Sequence, residues 1–308
     1  MNNLLFDINT HCPYTQARVG TLRLHGTEIL TPAFMPVGTQ GTVKAMLPEE
    51  VAAIGYRLIL GNTFHLGLRP GGELIERLGG LHRFMNWPHA ILTDSGGFQV
   101  YSLADLRQIT DEGAVFHSPF DGAKVFLRPE DSMRIQHQLG ADVLMAFDEC
   151  LEFGAPIETV RGSVELTLRW LARCKAEHER LNVRREQWPG HLFGIVQGHF
   201  NAGLRELSAR LTVELDLPGY AIGGLSVGEP EPLMLEMLEA ALAYLPEDRP
   251  RYAMGIGLPL NLIDMAARGI DLFDCVVPTR NARNGHAYTF DGIVSIKQAQ
   301  YAEDPRLL

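Results

Sequence analysis

The sequence predicts an α/β fold: an irregular (β/α)8 TIM barrel with N-terminal and internal β insertions, C-terminally truncated. Three observations carry that expectation. Eight short apolar runs, each ending in polar or glycine residues, alternate with stretches of helical composition. At 308 residues and 34.2 kDa the chain has room for one barrel of roughly 250 residues plus elaborations, so residues 1–308 read as a single domain. After the eighth run there is only a hairpin and a tail, so the eighth helix is missing and the chain reads as part of something longer.

The elements follow in order. Residues 1–31, with the alternation Thr21-Leu22-Arg23-Leu24-His25-Gly26, predict a β hairpin laid over one end of the barrel. Strands are expected at 33–37, 58–60, 90–93, 143–147, 192–196, 220–222, 251–254 and 272–277. Helices are expected between them at 48–54, 73–78, 129–139, 158–186, 204–211, 232–244 and 259–267, several of them opening on a proline suited to the first helical turn. A second β insertion, 96–128, carries turn signals at Asp111-Glu112-Gly113 and Asp121-Gly122. Residues 285–308 form a hairpin around Asp291-Gly292 and a tail.

Composition narrows the function classes. Hydrophobic residues at 46%, charged at 21% and aromatic at 8% exclude a chain disordered throughout, a collagen or a coiled coil. No apolar run approaches the roughly 20 residues of a membrane span, and Met1 to Asp7 lacks the basic and apolar regions of a signal peptide. A cytoplasmic protein without a membrane partner is the simplest expectation. Cys12, Cys150, Cys174 and Cys275 contain no C-x-x-C pair and read as reduced thiols. Twenty-seven Lys and Arg against 37 Asp and Glu give a net charge of −10, so a nucleic-acid partner requires a local basic patch. The 11 histidines include no H-x-x-x-H pair, and His65, His117, His199 and His286 read as packed or surface residues; no metal site is expected.

A barrel's active site forms at the carboxyl ends of its strands, and the residues there are polar. Asn62 follows the second run, Asp94 the third, Asp148 and Glu149 the fourth, and Gln197 the fifth. Gly223 and Gly224 follow the sixth, Gly255 the seventh, and Asp274 lies within the eighth. Each has a structural alternative: Asp94 and Ser95 make good caps, Asp148-Glu149 suits a solvated loop, and Asp274 could pair with Arg280. Asp274 nonetheless sits in apolar Leu272-Phe273-Asp274-Cys275-Val276-Val277, where an ionised carboxylate needs a partner or a task. Two carboxylates at a glycosidic bond suit nucleophile and acid/base roles. Gly223-Gly224-Leu225 opens backbone groups to the edge of a flat heterocycle, and the spacing of Gly-Gly-Leu-Ser-Val-Gly matches neither the dinucleotide-binding fingerprint nor the P-loop. Arg280 and Arg283, on one loop after the eighth strand, could grip a nucleic-acid backbone or form an internal salt bridge to Asp274 or Asp271.

Five of these segments together resemble a known family. Leu92-Thr93-Asp94-Ser95-Gly96-Gly97-Phe98-Gln99-Val100, Ala146-Phe147-Asp148-Glu149-Cys150, Gly194-Ile195-Val196-Gln197-Gly198, Gly223-Gly224-Leu225-Ser226-Val227-Gly228-Glu229 and Phe273-Asp274-Cys275-Val276-Val277-Pro278-Thr279-Arg280 are similar to the signatures of the tRNA-guanine transglycosylases, or queuine tRNA-ribosyltransferases, over about 6–301. The resemblance implies an irregular (β/α)8 barrel that exchanges guanine at the tRNA wobble position for a 7-deazaguanine. Asp274 would then be the nucleophile at ribose C1′ and Asp94 the general acid/base. Asp148, Gln197 and backbone groups of Gly224 and Leu225 would read the base edge, Tyr252 and Met254 would flank its ring, and Phe98 and Asn62 would complete the pocket. Arg280 and Arg283 would hold the anticodon loop around a base drawn from its stack.

Cys150 and Val227 resemble the bacterial type, whose substrate is 7-aminomethyl-7-deazaguanine, with Glu229 near enough in sequence to meet its aminomethyl cation. Two departures stand out. Gly257-Leu258-Pro259-Leu260 is apolar where many bacterial members place Lys and an acid, and the family's structural zinc ligands, C-x-C-x-x-C plus a histidine, are absent from this chain. No cofactor is therefore expected within it. The expected partners are the tRNA anticodon loop and a 7-deazaguanine base, with a homodimer permitted. A noncatalytic tRNA-binding subunit of the same fold and a barrel glycoside hydrolase are the alternatives. The first would be free to lose Asp94 or Asp274, and the second would expect an aromatic-rich cleft.

Overall fold

The computed structural model describes residues 5–103, 108–183, 190–290 and 292–305. The chain opens with β1 (Phe6–His11), β2 (Arg18–Leu24) and β3 (Thr27–Thr31), then β4 (Ala33–Gly38), α1 (Pro48–Ile54), β5 (Leu58–Gly61), α2 (Thr63–Leu68), α3 (Gly72–Arg77), α4 (Gly80–Met85) and β6 (Ala90–Thr93). Next come α5 (Gly97–Leu103), β7 (Gln108–Thr110), β8 (Gly113–His117), β9 (Lys124–Leu127), α6 (Pro129–Leu139), β10 (Val143–Met145), α7 (Ile157–Asn182), β11 (His191–Val196), α8 (Ala202–Val213) and β12 (Gly219–Ile222). The chain continues through α9 (Glu231–Leu242), β13 (Arg251–Ala253), α10 (Pro259–Ala266), β14 (Leu272–Cys275), α11 (Val277–Arg283) and the hairpin β15 (His286–Thr289) and β16 (Gly292–Ser295), to a 3₁₀ turn at Ala299–Tyr301. No described helix is long and apolar enough to cross a membrane.

The eight predicted runs are the eight strands of a closed parallel barrel, β4, β5, β6 and β10 through β14, closed by the register Leu272↔Ala33 to Cys275↔Pro36. Both faces of such strands are covered, which is why they read as continuous apolar runs. The period of two then sorts side chains. Met35, Leu58, Leu60, Leu92, Val143, Met145, Phe193, Ile195 and Tyr252 meet in the lumen, while Leu144, Leu192, Val196, Ile222 and Phe273 pack outward under the helices.

Two expectations are corrected and one, the internal β insertion, is borne out with a helix added. The N-terminal hairpin is a three-stranded antiparallel sheet, because β1 adds to β2 outside the β2–β3 hairpin; Phe6, Leu22, Leu24 and Ile29 join the lumen cluster, so the sheet plugs the amino-terminal end of the barrel. The insertion is a three-stranded sheet, β7–β8–β9, preceded by α5. The short helices α2, α4, α5 and α11 have only six or seven residues, too few for an apolar period to show. Asp291 and residues 184–186 of the expected long helix lie outside the described residues.

Two aspartates at the plugged end are buried with cationic or imidazole partners. Asp271 takes both oxygens to Arg18, at 2.9 and 2.6 Å, and accepts the Arg251 N–H at 2.7 Å. Asp142, next to the start of β10, accepts from Ile91 N–H at 2.8 Å and faces His82 Nε2 at 2.9 Å and His25 Nδ1 at 3.2 Å. His25 lies at the tip of the β2–β3 hairpin, so this contact ties the sheet to the barrel.

Candidate active site

The opposite rim is built from the residues that follow each strand. Asp94 follows β6 and is 7% exposed. Its Oδ2 accepts from Asn62 Nδ2 at 2.5 Å and its Oδ1 from the Thr63 N–H at 2.7 Å, while Thr63 Oγ1 donates to the Asp94 carbonyl. The cap alternative is thus partly realised: Asp94 caps the first turn of α2, the helix after the neighbouring strand. Burial pushes its pKa up to about 7; Asn62, Thr63 and Gln99 oppose the rise and the charge of Asp274 adds to it.

Asp148 belongs to the three residues by which the chain leaves the ladder early, β10 ending at Met145 rather than Phe147. At 6% exposure it is not in a solvated loop. Its Oδ1 accepts from Ser95 Oγ at 2.9 Å and its Oδ2 from Gln197 Nε2 at 2.7 Å, so three strand ends converge on it. Burial raises its pKa against those two bonds. Gly97 is required here, since a Cβ would stand 2.4 Å from the Asp148 carbonyl.

Asp274 lies in β14 and remains partly open at the mouth. Its Oδ1 accepts from the Tyr252 hydroxyl at 2.5 Å and from the Gly255 N–H at 2.8 Å, which leaves Oδ2 for other work. Burial raises its pKa and these two bonds hold it down. The Tyr252 phenol is pushed well above its ordinary range by burial and by the Asp274 charge, so it stays a donor.

The structure brings these residues to one rim as three hydrogen-bonded groups, Asn62 with Asp94, Gln197 with Asp148, and Tyr252 with Asp274. Cys150 and Leu225 are buried beside it, Gly224, Met254 and Val227 are half-buried, and Phe98 is 49% exposed. Several details differ from expectation. Tyr252 is fully buried with no open ring face, and it meets the site through its hydroxyl. The Glu229 carboxylate accepts the Ser226 and Val227 N–H groups of its own loop, the latter at 2.8 Å, so it is held by the backbone. Arg280 and Arg283 lie on α11 rather than on a loop, exposed, and neither forms an ion pair among the described residues; Asp271 is paired with Arg18 at the far end. Thr63 and Gln99 carry no sequence expectation as partners of Asp94, and Ser95, expected only as a cap, bonds Asp148; Ser95 and Gln99 both lie in the segment 92–100.

Among the described residues one grouping has metal-type donors close together: His25, His82 and Asp142 at the plugged end. The two imidazoles stack with centroids 4.1 Å apart and planes 10° from parallel, and each faces its own carboxylate oxygen. Rings stacked in this way cannot both aim in-plane lone pairs at one ion. The grouping is a hydrogen-bonded latch.

The family model described as Queuine tRNA-ribosyltransferase matches residues 12–308. A queuine tRNA-ribosyltransferase of Psychrobacter cryohalolentis is 53% identical over 295 residues, covering 94% of this chain and 76% of that protein. The enzyme of that name from Symbiobacterium thermophilum is 54% identical over 292 residues, covering 95% and 72%, and that from Staphylococcus epidermidis 52% over 299 residues, covering 96% and 77%.

Proposed function

The chain belongs to the queuine tRNA-ribosyltransferase family and is a pentosyltransferase, and on that premise we propose that it exchanges guanine at the tRNA wobble position for 7-aminomethyl-7-deazaguanine through a covalent ribosyl-enzyme intermediate. One observation carries the reading: a buried carboxylate, Asp94, and a partly open one, Asp274, stand at one rim close enough to repel, and have different partners and so different tasks.

Asp274 is the nucleophile. Tyr252 and the Gly255 N–H spread the charge on Oδ1 and fix the carboxylate, and Oδ2 attacks ribose C1′ as the glycosidic bond to guanine breaks. Asp94, with a pKa of about 7, is the acid that protonates the departing base. In the second half it takes a proton from the incoming base, whose nitrogen then attacks C1′ and releases Asp274. A pKa near the working pH lets one group serve both halves, and two displacements retain configuration. Asp148 and Gln197 read the N–H donors and acceptors of the base edge with backbone groups of Gly224 and Leu225. Cys150, Val227, Met254, Phe98 and Asn62 shape the pocket. We assign Tyr252 to Asp274 rather than to stacking, and Glu229 to the shape of its loop. Arg280 and Arg283, exposed and without carboxylate partners among the described residues, are available to phosphates or bases of the anticodon loop.

Incorporation of labelled guanine into tRNA tests the reading. Exchange with retention of an intact strand supports it. Binding without exchange would favour the noncatalytic subunit, and hydrolysis of a sugar substrate would favour the glycosidase.

A further inference from the structure

Arg205, on α8, is completely buried, and among the described residues its guanidinium bonds to no carboxylate. All its partners are backbone carbonyls: Nε donates to His199 at 2.8 Å, Nη1 to Val196 at 3.2 Å and Gly223 at 2.7 Å, and Nη2 to Gly224 at 3.1 Å. A buried cation whose direct bonds all go to neutral carbonyls is costly, and Glu229 offsets that cost only through space. Burial draws its pKa down to about 10, which still leaves it charged at neutral pH.

Those carbonyls belong to the two rim loops that carry Gln197 and Gly224–Leu225. A trans peptide is planar with its C=O and N–H on opposite sides. With the Gly223 and Gly224 carbonyls turned to Arg205, the N–H groups of Gly224 and Leu225 must point away from it. Gly224 has a left-handed backbone, φ +64°, and a Cβ there would lie 2.5 Å from Gln197 Oε1, so the peptide stands against the base-reading amide.

We propose that Arg205 is the positioning residue of the base subsite: by holding these carbonyls it presents the Gly224 and Leu225 N–H groups as donors, selecting a purine-type base with a 6-oxo acceptor over one with a 6-amino donor. The inference rests on the base-reading role given above to that loop. It concerns a residue that touches no substrate and acts through two peptides.

Arg205→Lys and Arg205→Met test it. Lysine keeps the charge but cannot reproduce the planar fork over four carbonyls. Guanine binding by calorimetry, KM for base and for tRNA, thermal unfolding, and competition between guanine and 2,6-diaminopurine are measured on the same preparations. For Arg205→Lys we expect guanine Kd and KM to rise roughly tenfold, KM for tRNA to stay within about twofold, and discrimination against the 6-amino base to fall about fivefold or more. Arg205→Met moves the same quantities further if it folds. A lysine variant with unchanged base affinity and discrimination, losing only folded fraction or kcat, overturns the proposal. So does a parallel rise in both KM values. If the parent binds guanine but exchanges none, the functional reading fails while the binding and competition arms still decide the role of Arg205; a parent that binds no guanine overturns both.

Discussion

Each end of the barrel buries aspartates, and the two ends treat them differently. At the plugged end, burial raises the Asp142 pKa but is outweighed by His25, His82 and the Ile91 N–H, and the result is about 2. Asp271 there has a bidentate guanidinium, and although burial still outweighs Arg18 and the Arg251 N–H and leaves its pKa raised, both of its oxygens are tied to a cation. At the open rim, among the described residues, Asp94, Asp148 and Asp274 receive only neutral donors, from Asn62, Thr63, Gln99, Ser95, Gln197, Tyr252 and Gly255. Neutral bonds do not offset burial there, and all three pKa values rise. What separates the two ends is therefore the partner and not the direction of the shift alone: an aspartate is an anchor where a cation or imidazole bonds to it directly, whether its pKa falls as at Asp142 or rises as at Asp271, and a reagent where only neutral donors meet it. Proton transfer near neutral pH requires the second condition, and holding a sheet onto a barrel requires the first.

The contrast can be broken most severely at the rim. Asp274→Asn is expected to abolish the tRNA adduct that survives denaturing electrophoresis, with exchange falling on the order of 10³-fold or more, because an amide is no nucleophile. Retention of tRNA in a filter-binding assay would locate the defect in chemistry; a persistent adduct would remove Asp274 from its role. Asp94→Asn should slow both half-reactions by about 10² to 10⁴-fold and remove a pH dependence centred near 7. Normal exchange rates would leave Asp94 as a cap of α2.

The plugged end should respond in stability instead. Asp271→Asn strands the buried Arg18 guanidinium and is expected to cost about 3 to 5 kcal/mol in denaturant unfolding, with exchange per folded molecule unchanged. A loss of specific activity would mean that the two ends are coupled.

A pH series of unfolding measurements sharpens the comparison, because the signs are opposite. The folded pKa of Asp142, about 2, lies below its unfolded value, so its contribution is present above about pH 4 and is lost as pH falls toward 2. For Asp94 the folded value, about 7, lies above the unfolded one, so stability is complete below about pH 4 and declines as pH rises to 7. Asp142→Asn should therefore flatten the acid limb, while Asp94→Asn should gain on the order of 1 to 4 kcal/mol over the parent at pH 8 and nothing at pH 4. A destabilised Asp94→Asn at pH 8 would contradict the contrast. The smallest effect is expected at the pocket wall, where Val227→Gly should let queuine compete with guanine by removing one half-buried side chain. Competition already present in the parent would show that Val227 sets no limit.

Much of this architecture is legible in the sequence. Helix α6 matches its expected bounds because Pro129 and the apolar period signal it locally, and β6 does so because a strand covered on both faces must be apolar throughout. The rim position of Asp94, Asp148, Gln197 and Asp274 follows from the same logic, since a barrel turns the residues after its strands toward one mouth. The short helix α11 is not legible there, because seven residues with a proline at the second position carry too little period.

By itself, then, the sequence determined the order of the strands, the face each side chain takes and which residues reach the mouth. All of these depend on neighbours within a few positions along the chain. Only the tertiary structure decided what each buried charge meets: His25 and His82 at Asp142, Arg18 at Asp271, the Tyr252 hydroxyl at Asp274, and four carbonyls at Arg205. Those partners are remote in sequence or belong to different elements, and they come together when eight strands close with one particular register. The pKa of a carboxylate depends on burial and on bonds a few ångströms away, and no local pattern encodes either.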